Sequence, residues 1–122
     1  MKLTNNEIYT YANKLMEVFQ DSSQSLPIKI NFYLQKNKSI LITLAQEIER
    51  TRFEIIQSYG ELNQETQQFV VPQDKIAEAS KELNDLFNLE QDVNIYMINI
   101  DSLSDDYAMT TAQMEAIMFM IE

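Results

Sequence analysis

Pro27, Gly60 and Pro72 are the only two prolines and the only glycine among 122 residues, so strong backbone breakers divide the chain into a few long segments. What fills those segments is apolar spacing of three and four. Thr4 followed three residues on by Glu7 has the form of a capping box, in which cap hydroxyl and carboxylate each bond the other's backbone N–H. Ile8, Tyr11, Ala12, Leu15 and Phe19 then recur at helical spacing, which predicts a first helix over about residues 5–20 and an exit loop at Asp21 to Ser25.

The segment after Pro27 carries two periods at once. Leu26, Ile28, Ile30, Phe32 and Leu34 alternate like a half-buried strand, while Ile30, Leu34, Asn37, Leu41, Leu44, Ile48, Thr51 and Ile55 keep a three-and-four spacing as far as Tyr59. Pro27 suits a first helical position, which favours one helix of about 33 residues, roughly 50 Å long. A short strand followed by a helix from about Asn37 is the alternative. Gly60 ends the helix as a C′ residue does.

Residues 61–72 read as a polar loop closing on Phe69-Val70-Val71, whose aromatic and β-branched character suits a short strand. Ile76, Ala79, Leu83 and Phe87 mark a helix over about 73–88. Val93 to Ile100 alternates and reads as a strand able to pair with Phe69 to Val71. Asp101 to Met109 reads as a loop, and Thr110 with Gln113 caps a last helix running to the chain end. The expected fold is α+β and helix-dominated: one domain over 1–122, a long central helix, about three shorter helices and a minor two-stranded β element.

Composition narrows the chemistry. No cysteine and no histidine means no disulfide, no thiolate nucleophile, no zinc-thiolate site, and neither the commonest metal ligand nor the commonest general base. No cofactor or metal is expected, and the reading is of a protein that is not an enzyme. The start, Met-Lys-Leu-Thr-Asn-Asn-Glu, is polar and the longest apolar run is Ala116 to Ile121, so neither a signal peptide nor a membrane span is expected and the location is read as cytoplasmic. Charge is uneven. Residues 1–60 hold seven Lys/Arg against six Asp/Glu, and residues 61–122 hold two against thirteen. Such a density favours a cationic partner or a charge mimic.

The blocks Leu26-Pro-Ile-Lys-Ile-Asn-Phe-Tyr-Leu-Gln-Lys-Asn37, Ile48-Glu-Arg-Thr-Arg52, Tyr59-Gly-Glu61, Val71-Pro-Gln-Asp-Lys-Ile76 and Met118-Phe-Met-Ile-Glu122 resemble small proteins of unknown function encoded by phages and prophages of low-GC Gram-positive bacteria. The resemblance runs through nearly the whole chain, and none of its blocks is a catalytic motif. It implies a phage-type gene expressed in a host bacterial cytoplasm and, by analogy, a protein that binds and disables a host factor.

Several constellations are candidates for function. Asp74, Glu78, Glu82 and Asp85 fall at spacings of four, four and three on one helix, with Lys81 the nearby cation. Like charges at i,i+4 cost an isolated helix about 0.2–0.5 kcal/mol per pair. The stripe is therefore either an ordinary solvated face or a surface for a basic partner. Asp101, Asp105 and Asp106 offer oxygen ligands, but without the glycine and closing glutamate of a calcium loop they read as a polar loop. Glu47, Glu49 and Glu54 lie among Arg50 and Arg52 at ion-pairing distances, which favours surface pairs over catalytic carboxylates. Five of seven methionines lie in the last 26 residues, and Met114, Ile117, Met118 and Ile121 mark a helix used as core or as an oligomer interface. Asn37 sits in the apolar seam, where it either fixes register or turns outward. Lys36, Lys38, Arg50 and Arg52 are the one local basic concentration, and a net charge of −10 opposes direct nucleic-acid binding.

Three function classes follow in order. The first is a non-catalytic inhibitor that binds a basic surface on a host protein such as a defence nuclease. The second is a phage structural or assembly factor that oligomerises through its C-terminal helix, and the third is a carboxylate-dependent metalloenzyme.

Overall fold

Helix α2, Ile28–Tyr59, is the spine of the molecule. The computed structural model describes residues 1–19, 26–102 and 109–122. The expected loops at Asp21 to Ser25 and at Asp101 to Met109 lie wholly or largely outside these. The two periods after Pro27 resolve in favour of the helix: Ile30 and Leu34 are buried, whereas Ile28 and Phe32, which the alternating pattern would also bury, are 87% and 54% exposed. Ile30, Leu34, Asn37, Leu41, Ala45 and Ile48 form the buried seam.

Helix α1, Asn5–Val18, starts at the expected box. Thr4 Oγ1 accepts from the Glu7 N–H at 3.1 Å, and Glu7 Oε1 accepts from the Thr4 N–H at 3.0 Å. It lays Ile8, Ala12, Leu15 and, just past its end, Phe19 into the core.

Gly60 stops α2, but not in the left-handed conformation of a C′ glycine. Its φ of −94° and ψ of 162° are extended, open to any residue. What excludes a side chain is space: an added Cβ would lie 2.7 Å from the Ile56 carbonyl oxygen and 3.3 Å from Phe69 Cβ. The chain folds back there as a hairpin. Strand β2, Glu61–Asn63, pairs antiparallel with β3, Gln68–Val70, placing Leu62 opposite Phe69. At the turn Asn63 Oδ1 accepts from the Glu65 N–H, and Gln67 takes a φ of 58°.

The expected pairing of Phe69 to Val71 with Val93 to Ile100 is therefore incorrect. The nearer partner requires closure of only a short loop, and residues 93–98 are engaged elsewhere. Residues 73–75 form a 3-10 turn leading into α3, Ile76–Asn88, which buries Ala79 and Leu86. Strand β4, Glu90–Asp92, then pairs antiparallel with β1, Lys2–Thr4. Val93 to Ile100 is not a continuous strand. Its Val93 N–H donates to Met1 O at 2.8 Å, and the Ile98 N–H donates to Met120 O at 2.7 Å. Ile98 also forms a single parallel bridge with Ile121.

The last helix has the expected Thr110 and Gln113 box but is short. Helix α4 covers Thr111–Ile117, and a 3-10 turn continues to Met120. Among the described residues the fold is α+β and helix-dominated, with four α-helices and two two-stranded ribbons where one was expected. One apolar cluster joins Leu3, α1, α2 as far as Ile48, Leu86, Val93, Ile95, Ile98, Ala116, Ile117 and Met120.

Candidate interaction surface

Beyond Ile48, α2 has no buried residue, although it continues for about eleven residues, roughly 16 Å at 1.5 Å per residue. This last third, the β2–β3 hairpin and the start of α3 form an arm at the edge of the main core, against which Ile55 of this stretch of α2 packs half-buried. Phe69 packs edge-on against Phe53 with centroids 6.0 Å apart, yet Phe53 remains 49% exposed. Leu62, Val70 and Ile76 are also exposed on the arm. Contiguous apolar patches mark contact surfaces, whereas side chains exposed singly do not; here Leu62 stands opposite Phe69, which packs on Phe53, so these three adjoin.

The acidic stripe lies on the same arm. Asp74, Glu78, Glu82 and Asp85 are all exposed, while Ala79 and Leu86, a turn from Glu82 on either side, are buried along the edge of the stripe. Among the described residues the single ion pair is Arg52 with Glu49, at 2.8 Å across one helical turn. None of the four stripe carboxylates is neutralised by a lysine or arginine. Tyr59, half-buried at the end of α2, reaches the stripe. Desolvation, then a hydrogen bond to Glu82, then the charges of Glu82 and Glu78 raise its phenol above the ordinary value of 10.0. Sequence reading found the stripe through its spacing. It missed the apolar flank because Phe53, Leu62, Val70 and Ile76 look like core residues until the burial is known.

The other candidates divide. Asn37 turns inward and is fully buried, its Nδ2 donating to Tyr96 O at 2.9 Å and to Met120 Sδ at 3.3 Å, its Oδ1 accepting from the Tyr96 N–H at 2.7 Å. Its amide thus bonds the backbone of residue 96 as a neighbouring strand would. Asn5, which the sequence did not flag, acts similarly: its Nδ2 donates to Leu86 O, and its Oδ1 accepts from Gln91 Nε2. In the C-terminal helix Ile117 is buried, and Met114 and Ile121 are half-buried against the core. Of the two readings of this helix, core or oligomer interface, the core one does not hold for Met118, which is 65% exposed; Met120, at 0%, fills that role because the 3-10 turn after Ile117 rotates it inward.

The Glu49 and Arg52 pair bears out surface pairing for Glu49, though not for Glu47 or Glu54, and Lys38 is occupied by Phe19 O at 3.0 Å. Asp105 and Asp106 lie outside the described residues. Among those described, no group of three or more Asp or Glu side chains is placed to hold a metal ion, and no helix is long and apolar enough to cross a membrane. Comparison with protein-family models, curated proteins and solved structures finds no match for this chain.

Proposed function

We propose that this chain is a non-catalytic interaction protein whose acidic arm docks on a basic surface of another protein and blocks it. The observation that carries the reading is the coincidence on one arm of four exposed, unneutralised carboxylates with large exposed apolar side chains. Interfaces commonly combine an apolar centre with a polar rim. The carboxylates would give speed of encounter and selectivity for a cationic face, while Phe53, Leu62 and Val70 would give contact area. The resemblance to phage-encoded proteins supports a host protein as the target. A defence nuclease is a natural instance, because a row of carboxylates competes for the cations that otherwise hold phosphates. Assembly through the C-terminal helix has less support, since Ala116, Ile117 and Met120 lie in the chain's own core and Met118 is the one large apolar side chain strongly exposed there.

Affinity capture from a low-GC Gram-positive lysate tests the reading with two baits, wild type and Glu78→Lys/Glu82→Lys. Wild type should retain one stoichiometric protein and release it as salt rises toward about 0.5 M, where the screening length is a few ångströms. The double reversal should retain much less of it while keeping the wild-type circular dichroism. Equal retention with the same salt response would return the stripe to a solvated helix face.

A further inference from the structure

The far end of α2 has the opposite character to the arm. From Leu26 to Gln46 the chain contains Lys29, Lys36 and Lys38 and no Asp or Glu. Lys38 is held by Phe19, but Lys29 and Lys36 are exposed, each over an aromatic ring: Lys29 Nζ lies 5.6 Å from the centroid of Tyr33 and Lys36 Nζ 5.5 Å from that of Phe32. Ile28 and Phe32, 87% and 54% exposed, stand on the same stretch one helical turn apart. Among the described residues nothing covers Ile28 or Phe32 on this face. The face repeats the composition of the arm, large apolar side chains beside charge, with the sign reversed.

The two surfaces sit about 39 Å apart, taking Tyr33 and Tyr59 as their marks on one unbroken helix at 1.5 Å per residue. A rigid rod cannot fold its ends together, so complementarity between them is met only between molecules. We infer that the Ile28, Lys29, Phe32 and Lys36 face docks a second copy of this chain through that copy's acidic arm, head to tail. The inference rests on the reading of the arm as a docking surface and makes a second copy a competitor of the basic partner for it. Contact between two different patches is heterologous, and it propagates unless its rotation closes a ring. The net charge of −10 on each copy opposes association at low salt. Near 0.15 M, where the screening length is about 8 Å, distant repulsion fades while charges in contact still attract.

Sedimentation of wild type, Lys29→Glu/Lys36→Glu and Glu78→Lys/Glu82→Lys at about 0.15 M salt decides it. From micromolar to millimolar protein, the wild-type weight-average mass should rise past twice the monomer's 14.3 kDa. Each double variant alone has lost one end and should remain monomeric. Their equimolar mixture keeps one intact end of each kind and sets the two reversed ends opposite in sign, so it should associate again. A wild type that stays monomeric, an association that both reversals leave unchanged, or a mixture that does not associate overturns the inference. The Lys29→Glu/Lys36→Glu variant retains the acidic arm, so it should capture the lysate partner as wild type does. Monomeric wild type with capture intact rejects self-association alone, whereas unchanged capture by Glu78→Lys/Glu82→Lys rejects the arm as the partner's site.

Discussion

Asn37 shows how one polar side chain positions a segment that has no continuous ladder of its own. Its amide serves both backbone groups of Tyr96 within the core. Asn37→Ala removes both partners at once, and each buried group left unpaired costs about 1–3 kcal/mol. Chemical denaturation should show a loss of that order with an unchanged slope, since the surface exposed on unfolding is the same. Asn37→Asp keeps an acceptor for the Tyr96 N–H but loses the donor to Tyr96 O and places a charge in the apolar seam. It should be at least as damaging at neutral pH. A variant as stable as wild type would mean that the segment is held without this residue. From the sequence, Asn37 was legible as an exception in an apolar period. What it bonds was not, because Tyr96 is 59 residues away and no local pattern announces the contact.

At the scale of elements, helices were legible where spacing and caps agreed. Both capping boxes, the break at Gly60 and the buried seam of α2 follow from residues a turn apart, and local rules reach that far. Strand pairing was not legible. Val93 and Ile95 point into the core in the alternating phase and Ile98 follows one residue out of phase, and the partners of the stretch are the amide of Asn37 and segments near both chain ends. The acidic stripe was visible by spacing alone, and its apolar flank was invisible because composition does not report where a helix outruns its core. The same limit explains Met118 and Met120, two residues apart in an all-apolar run. Met118→Glu should leave thermal stability nearly unchanged, whereas Met120→Glu buries a lone carboxylate and should lower the melting temperature sharply or prevent folding. Equal tolerance of both substitutions would mean that Met120 does not fill the core.

Across the whole molecule, charge is segregated rather than paired. Between residues 61 and 92 eight acids face two lysines, and among the described residues the one ion pair lies in α2. Self-repulsion then dominates surface electrostatics, so salt should stabilise the fold by screening it. The melting temperature should rise as sodium chloride goes from about 0.01 M to about 0.3 M, over which the screening length falls from 30 Å to several ångströms. A fall would reveal favourable pairs that the charge layout does not contain.

The order in which this chain assembles is written into the stretch from Glu90 to Ile98. Helices α1 and α2 are consecutive and meet early. That stretch bonds Met1 and Lys2 to Thr4 on one side, Met120 and Glu122 on the other, and Asn37 between them. Contacts of such sequence separation must close large loops before they contribute, which places them late on the folding route. Loss of the Asn37 amide should therefore quicken unfolding and leave the rate of folding almost untouched, the signature of an interaction formed after the barrier is crossed.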